Sequence, residues 1–391
     1  MAVAGVFTSD SGIQGERRGD FAAGLLTTVP NGTAPLLAFT SGMPSADASD
    51  VVITWFEENR LNGRTTITNN AGTGTSIIVS DPTQFVAGDI MLVETTGEYI
   101  LVNSISASTF TVQRGFGGTT AQAVDGSGTP VGFQRIGNAV EEGSQRPAAV
   151  QNLGFPVFNY MQIFRNAWEV TLTAASVDYF TGDKKAKSKR DAAMLHAENI
   201  ERSIIFGRQA IGVQNGRPFR TMNGVDTFIT TNVETQSSDV SIADLDTFLE
   251  SIFRFNISGK PNERIAFCGN SVMLVIQDLV RNFSTYNIAA GETKYGLKIS
   301  RWMTPFGDVM LKTHPLFVEN TDVWNKLLLV LHPGAIRTRY LRRTKWDNDE
   351  ASGDRNGVDA DAGVITTEMS IEHRAEKTAG RYSGIDTAAT P

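Results

Sequence analysis

The sequence predicts an α+β protein whose first half is extended and whose second half is a layered unit of helices and strands. Three observations lead to this prediction. The residues before Asp183 are rich in Gly, Thr and Ser and carry strand signals without a long helical pattern. A helical period then begins at Asp183 and continues to about Ile211. Strand and helix signals alternate over residues 216–340, as they do in α/β layers.

Composition limits the classes of protein that this chain can belong to. Its 391 residues are 41% hydrophobic and 20% charged, which is typical of a folded protein with two or three compact units. No apolar run is long enough to span a membrane, and residues 1–24 lack the pattern of a signal peptide, so we expect cytosolic synthesis and no membrane partner. Cys268 is the only cysteine, which excludes an intrachain disulfide and a cysteine-based zinc site.

Charge is distributed unevenly along the chain. Up to Phe180 there are 16 acidic residues against eight arginines, and the first lysine of the protein is Lys184. The net charge of −7 argues against a dedicated nucleic-acid-binding protein, which would need a basic surface. An extended, lysine-free first half is better suited to sheet contacts with other copies than to an isolated domain.

The first 66 residues predict an arm followed by a strand. Residues 1–50 combine Gly, Thr, Ser and Ala with three prolines, a composition that favours an extended arm. Val51 to Phe56 is predicted to be a strand, with Val51, Ile53 and Trp55 on one face. Tyr160 to Thr173 alternates in the same way and is predicted to be its pairing partner.

Between these two strands lies an insertion, roughly Thr66 to Arg135, that predicts a small antiparallel barrel or sandwich. Turn residues separate its four strand signals, which are Ser76–Val79, Asp89–Glu94, Glu98–Ile105 and Thr109–Arg114. The glycines of residues 115–118 follow a strand but lack the third glycine of a dinucleotide-binding loop, so a tight turn is the better interpretation.

The long helix has recognisable ends and a basic first turn. Asp183 is the predicted N-cap and Gly212 the predicted stop. Its apolar stripe and its one predicted ion pair, Glu198 with Arg202, follow the helical period; the stripe consists of Ala193, Ala197, Ile200, Ile204 and Ile211. The lysines that begin at Lys184 form either a solvated face or a contact with a polyanion or an acidic neighbour.

The layered unit is predicted from a series of short signals. Its helices are Ile242–Phe255 and Ser271–Asn282, and its strands are Arg264–Cys268, Lys298–Met303, Asp308–Thr313 and Lys326–Leu331. Asp347–Asp361 is predicted to be an acidic surface loop. Val364–Arg374 is predicted to be the final strand, with Ile365, Thr367, Met369 and Ile371 on one face.

Residues with catalytic spacing are not found in the sequence. The four histidines never occur at helical i, i+4 spacing and are interpreted as structural. The nucleophile elbow and the phosphate-binding loop have no match, and Ala351 and Ser352 interrupt the acidic run where a calcium loop needs an oxygen ligand and glycine. We therefore expect no enzyme activity, cofactor or metal.

Four local segments carry a resemblance to a known family, namely residues 53–61, 162–165 with 169–170, 197–202 with 206–207, and 296–299 with 304–309. Their sequences are ITWFEENRL, QIFR with EV, AENIER with FG, and GLKI with TPFGDV. With the order of the parts, these segments resemble the major capsid proteins of tailed bacteriophages, which have the Hong Kong 97-type fold. The similarity spans roughly residues 35–345.

The resemblance implies a domain plan in which each part has a place in a shell. This plan comprises an N-terminal arm (1–50), an extended loop (51–66 and 137–180), an inserted β-barrel (67–136), a peripheral domain with the spine helix (181–215 and 341–391) and an axial domain (216–340). It also implies hexamers and pentamers that close into an icosahedral head around double-stranded DNA. The implied partners are further copies, a portal, scaffolding or decoration proteins, and weakly held DNA.

Two sets of residues are candidates for these contacts. The candidates for contacts between subunits are all aromatic: Trp55, Phe56, Phe164, Trp168 and Phe306. The candidates for facing DNA on the inner surface are all basic: Arg17, Arg18, Lys184, Lys185 and Lys187.

The lysine distribution bears on one mechanism of the family. Some members of this fold join neighbours by an isopeptide bond from an extended-loop lysine to an asparagine, and residues 51–180 contain no lysine. We therefore expect a shell without that crosslink. The alternatives are an encapsulin-type nanocompartment shell, and a phage-tail or surface adhesin that uses the barrel as a binding module.

Overall fold

The computed structural model describes most of the chain from Pro44 onward as two compact units. The described residues are 44–58, 60–143, 148–179, 182–237, 239–257, 259, 261–282, 288–294, 297–319, 323–348 and 359–387. One unit comprises residues 1–55 and 158–391, and the other comprises residues 56–157. The predicted arm, including Arg17 and Arg18, lies outside the described residues except for its end, where Ser45–Asp47 is a short strand.

A two-stranded ribbon is formed by Val52–Glu57 and Phe155–Tyr160. The first strand begins and ends within one residue of the prediction, and Ile53 and Trp55 are buried as expected. The predicted partner was wrong. Gln162–Thr171 instead pairs antiparallel with Ala360–His373 along its whole length, because both strands are long, alternating and able to cover the long helix.

A four-stranded sheet therefore supports the long helix. In order across the sheet its strands are Ser45–Asp47, Ile336–Asn348, Ala360–His373 and Gln162–Thr171. Ile365, Thr367, Met369 and Ile371 are buried on one face, as predicted. Leu172 leaves the strand and begins a short helix, Leu172–Ser176, whose first turn is capped by the Thr171 hydroxyl.

The long helix spans Lys184–Phe206 and begins where the sequence predicted. The Asp183 carboxylate accepts a hydrogen bond from the Lys185 amide at 2.8 Å, and Glu198 pairs with Arg202 at 3.2 Å. The predicted C-terminus was wrong, because Gly207 is the C-cap and Ile211 lies in the next strand. The buried face of the helix includes two polar residues that the apolar stripe did not contain and consists of Ala192, His196, Ile200, Glu201, Ile204 and Ile205.

A β-hairpin, Ala210–Gln214 with Arg217–Thr221, follows the helix. Its turn is Asn215-Gly216, and both residues have positive φ, 51° and 73°. Asn-Gly is the strongest short hairpin signal because a type I′ turn needs positive φ at both central positions. The signal was present in the sequence, but the apparent helical continuation to Ile211 concealed it.

The inserted unit is a nearly closed barrel. Its six strands, in order around the sheet, are Arg64–Ile67, Val131–Asn138, Asp89–Val93, Tyr99–Ser106, Thr109–Gln113 and Ser76–Ile78. An antiparallel bridge between Ile67 and Val79 joins the first strand to the end of the last. The four predicted strands are confirmed, and the structure adds Arg64–Ile67 and Val131–Asn138, the first and last strands of this sheet along the chain. A small pair, Asn70–Gly72 with Val124–Asp125, accompanies the barrel.

The barrel interior is filled by side chains from alternate positions of every strand. Its core includes Ile67, Met91, Ile100, Phe110 and Phe133, all fully buried. Alternation of inward apolar and outward polar residues is what a small barrel requires. The residues after the strand Thr109–Gln113 form a short 3-10 turn, Phe116–Gly118, so the tight-turn interpretation of the glycines is confirmed.

The layered unit is built on a seven-stranded mixed sheet. Its strands in order are Val233–Thr235, Gly380–Ser383, Leu328–Leu331, Glu263–Cys268, Gly307–Thr313, Leu297–Thr304 and Ile288–Lys294. Its longer helices are Ile242–Phe253, with a Ser241–Asp244 capping box, and Asn270–Asn282. The remaining short helices are Val225–Phe228, Pro315–Glu319, Trp324–Lys326 and Glu376–Thr378.

Both faces of this sheet are covered. Along the central strand, Ile265 and Phe267 belong to the core shared with the long helix, whereas Ala266 and Cys268 belong to the core under the two longer helices. This explains why Arg264–Cys268 is apolar without alternation. Val364–Arg374 was predicted to be the final strand, but Gly380–Ser383 follows it and enters the seven-stranded sheet.

The α+β class with a small inserted barrel is therefore confirmed. The described helices include none long and apolar enough to cross a membrane.

Candidate assembly surfaces

Three of the five predicted contact aromatics lie inside the protomer. Trp55 packs near Phe228, with ring centroids 5.8 Å apart, and Phe164 packs edge-on against His196. Trp168 is also buried. These three side chains are corrected from candidate intersubunit contacts to core residues, because strand alternation turns them toward the buried side of their sheets.

Phe56 and Phe306 are exposed. Phe56 follows buried Trp55 in the ribbon, so it points to the opposite face and is 77% exposed. Leu153, beside the second ribbon strand, is 80% exposed. Phe306 occupies the turn between two strands of the layered unit, where its carbonyl accepts a hydrogen bond from the Asn262 amide at 3.0 Å.

The hairpin after the long helix is a second apolar surface, which was not predicted from the sequence. Val213 is 72% exposed, and Ile211 and Phe219 are also exposed. Its two strands form their own sheet and share no strand pairing with another described sheet. Exposed large apolar side chains on a free-standing hairpin are typical of an interaction site.

Buried amide groups fix the base of the hairpin. The Asn159 side chain, fully buried, donates hydrogen bonds to the carbonyls of Ile371 (2.9 Å) and Asn223 (3.2 Å) and accepts one from the Asn223 amide (2.8 Å). The Met222 amide donates to Gln162 Oε1 at 3.0 Å. The exposed end of the hairpin therefore extends from a rigid root.

The basic cluster at the start of the long helix is largely engaged by its own chain. Lys185 Nζ lies 2.9 Å from Asp361 Oδ2, and Lys184 Nζ lies 4.6 Å from the centroid of the Tyr179 ring. Lys189 Nζ lies 4.4 Å from the centroid of the buried Trp168 ring. These contacts show how an N-terminal helical turn accommodates cations that the helix dipole disfavours. Lys187 is partly exposed.

Three of the four histidines have the hydrogen-bond partners expected of structural residues. The Leu316 amide donates to His314 Nδ1, so Nε2 of that ring carries the proton and donates to Glu201 Oε1 at 2.6 Å. His196 lies between Asn166 and Thr367, and His332 contacts Asn256.

His373 differs from the other three, since neither ring nitrogen has a hydrogen-bond partner. Burial lowers the pKa of His373 to about 4. The described residues contain no cluster of three or more His, Cys, Asp or Glu side chains suited to a metal ion.

The comparison with protein families decides the class of this chain. The model of the SU10 major capsid protein family matches residues 6–386. The chain belongs to the SU10 major capsid protein family. The resemblance to tailed-phage major capsid proteins is therefore confirmed, and the protein is a subunit of a phage capsid shell that consists of many copies.

A curated relative within the same functional class covers nearly the whole chain. The major capsid protein of Pseudomonas phage PaMx41 is 30% identical over an alignment of 391 positions, which covers 94% of this chain and 93% of the relative. This similarity includes the inserted unit as well as the helix and the layered unit.

Solved shell proteins are similar at low identity. The capsid of Myoviridae phage XM1 aligns with a TM-score of 0.46 and 9% identity, covering 94% of this chain and 97% of the other. Mycobacterium phage Bobi gives a TM-score of 0.44 and 7% identity, with 96% of each chain covered. The SrpI encapsulin of Synechococcus elongatus aligns with a TM-score of 0.46 and 10% identity, covering 62% of this chain and 81% of the other.

The described residues of this SU10-family chain contain the parts expected of the Hong Kong 97-type fold, in the expected order. The ribbon comes first and encloses the barrel in sequence, the long helix follows, and the layered unit and the long strand Ala360–His373 come after the helix.

Proposed function

We propose that this capsid protein assembles as hexamers and pentamers that close into an icosahedral head around double-stranded DNA. The observation that carries the proposal is the pair of exposed apolar surfaces on the ribbon and the hairpin of a chain whose family forms shells. Such surfaces need partners in water, and identical copies supply them by heterologous contacts.

The domain plan expected from the sequence carries over as a proposal, with one refinement. Residues 1–50 are the N-terminal arm, 51–66 and 137–180 the extended loop, 67–136 the inserted barrel, and 216–340 the axial domain. The peripheral domain contains the spine helix and residues 341–373. We assign Gly380–Ser383 to the axial domain, because this strand pairs with Leu328–Leu331 and with Val233–Thr235.

Purified protein or particles examined by electron microscopy test the shell. We expect closed particles with sixfold and fivefold clusters of subunits. A monodisperse monomer at high protein concentration, under conditions in which the PaMx41 relative assembles, would refute the proposal.

We further propose that the shell lacks lysine–asparagine crosslinks from the extended loop. The support is chemical, since residues 51–180 contain no lysine to supply the amine. Mature particles boiled in denaturant under reducing conditions should run as a single band near 42.4 kDa. A ladder of higher bands would contradict the proposal.

Contact with packaged DNA is proposed to be weak. The candidates are Arg17, Arg18, Lys184, Lys185 and Lys187, and the ion pair of Lys185 with Asp361 reduces the cationic charge that this residue presents. Few phosphate contacts predict a shallow dependence of DNA binding on salt concentration. Filter binding to empty particles between low and high salt measures that slope. A steep slope would show a larger basic surface.

Portal and scaffolding or decoration proteins are further proposed partners. Co-expression of the capsid protein with the neighbouring phage genes, followed by particle purification, would identify them.

A further inference from the structure

Two exposed surfaces of this chain have opposite charge and similar apolar content. The first is the hairpin with the two residues before it, Arg208–Thr221, which contains three arginines and no acidic residue. Across its strands Ile211 is paired with Arg220, and Val213 with Pro218, so two exposed apolar side chains share a face with a cation.

The other side of the hairpin is also exposed. The Phe219 ring lies against Gly212, where an added Cβ would come within 2.5 Å of the ring. Arg217 is paired with Gln214 on that same side. An isolated two-stranded hairpin is marginally stable in water, so this element gains stability from a partner.

The second surface is the far end of the ribbon. Phe56 and Leu153 are its most exposed apolar side chains. Glu57 ends the first strand on the Trp55 side, and Glu58 follows it on the Phe56 side. Glu58 Oε1 accepts a hydrogen bond from the Asn152 side-chain amide at 2.8 Å. Residues 56–61 and 136–155 together hold four glutamates and two arginines. The ribbon end is therefore apolar and acidic where the hairpin is apolar and basic.

We propose that the hairpin of one copy binds the ribbon end of a second copy, with Ile211 and Val213 packed on Phe56 and Leu153. Arg220, on the same hairpin face as Ile211, then faces Glu58. This inference rests on the proposed function and names the partner surfaces within it. Charge complementarity selects a second copy as the occupant. The contact joins two different surfaces, so it repeats head to tail, as a ring of subunits requires.

The apolar side chains distinguish this site from a nucleic-acid surface. A surface that contacts phosphates is dominated by cations and polar groups. The hairpin instead exposes Ile211, Val213 and Phe219 between its arginines. Aromatic and aliphatic anchors flanked by arginine are typical of the centre of a protein–protein interface.

Disulfide trapping tests the proximity of the two surfaces. The variant L153C/V213C of the full chain, oxidised at assembly concentration, should give a ladder of dimers and higher oligomers on a non-reducing gel. The single variants can give at most dimers, because Cys268 is buried. The matched control is L153C/L274C, which places the second cysteine at a different exposed leucine. No ladder in L153C/V213C, or an equal ladder in the control, would overturn the proposal.

Charge reversal tests the electrostatic part. R220E and E58R should each lower the yield of assembled particles about tenfold, and the combined two-residue variant should restore most of it. Circular dichroism of each unassembled variant checks that it is folded. Folded variants whose combination gives no recovery would contradict the proposal. Loss of DNA content with unchanged particle yield and an unchanged ladder would assign the hairpin to nucleic acid and also overturn it.

The two proposals can fail separately. Oligomers linked through L153C and V213C without closed particles would leave the contact intact and refute the icosahedral shell. Closed particles of L153C/V213C that give no ladder after oxidation would leave the shell intact and refute the contact.

Discussion

A buried ion pair in the barrel allows a test of whether burial determines how much an ion pair contributes to stability. The Glu98 and Arg114 side chains are almost fully buried and form two hydrogen bonds, at 2.6 and 2.8 Å. The Glu98 carboxylate also accepts the amides of Gly115 (2.9 Å) and Gln122 (3.1 Å). Burial raises the pKa of Glu98, but the hydrogen bonds from Arg114 and the two amides outweigh it, so the pKa lies below its ordinary value.

The perturbation is Glu98→Gln, which keeps the shape of the side chain and removes its charge. Arg114 then remains buried with neutral acceptors only, which are the backbone carbonyls of residues 72, 74 and 122 and the one amide oxygen of the new side chain. Removing one partner of a buried pair costs about 3–5 kcal/mol. The barrel should therefore open roughly 10²- to 10⁴-fold more often, since every 1.4 kcal/mol is tenfold.

The matched control is Glu94→Gln. Glu94 pairs with Arg64 through the same two-bond geometry, at 2.6 and 2.8 Å, but both side chains are more than a third exposed. An exposed pair contributes about 0–1 kcal/mol. Amide hydrogen exchange of barrel peptides measures both variants in the intact chain. Equal exchange rates in the two variants would refute the claim that burial determines how much stability is lost when the carboxylate is neutralised.

Three further predictions concern stability. Burial lowers the pKa of His373 to about 4, against about 6.5 in the unfolded chain, so its contribution is complete above pH 6.5 and is lost as pH falls toward 4, by up to roughly 3 kcal/mol. In the wild type, the urea concentration at the unfolding midpoint should therefore fall as the pH is lowered from 6.5 to 4. His373→Phe should make this decrease smaller, and a decrease as large as in the wild type would contradict this. Asn159→Leu should lower the free energy of unfolding by about 2–4 kcal/mol because buried backbone groups of Ile371 and Asn223 lose their partners; a thermal unfolding midpoint equal to that of the wild type would exclude this role. Asp183→Ala should cost about 1 kcal/mol through loss of the N-cap, measured by urea unfolding with Asp191→Ala, a mid-helix control, expected to change little.

The sequence predicted local elements well where period and turn chemistry agreed. The prediction was correct within a few residues for the four barrel strands of residues 76–113, for the N-cap at Asp183 and for both longer helices of the layered unit. Each of these depends on interactions between residues close in sequence, which a pattern can encode.

The pairing of distant strands was harder to predict. Gln162–Thr171 has the alternation of a ribbon partner, but its true partner lies about 200 residues later, and pattern alone does not choose between two partners of the same period. Gly380–Ser383 was missed because four residues of an inner strand carry too little signal.

The candidate contact residues show a related limit. Aromatic side chains indicate burial, but a sequence does not distinguish burial inside a protomer from burial between copies. Trp168 and Phe56 both lie in extended segments, and only the structure separates the buried tryptophan from the exposed phenylalanine. The Asn215-Gly216 turn, by contrast, could be recognised in the sequence. It predicts a hairpin there, so the helix has to end before the hairpin, near Gly207.

The barrel begins and ends on neighbouring strands. Arg64 on the entering strand is paired with Gln134 on the leaving strand, so a cut at these two residues leaves two chain ends within one strand spacing, about 5 Å. A short glycine linker can therefore replace the whole insertion without stretching the residues on either side, and a foreign module whose termini lie equally close can take its place. We therefore expect every copy in a shell to accept a grafted module at this position.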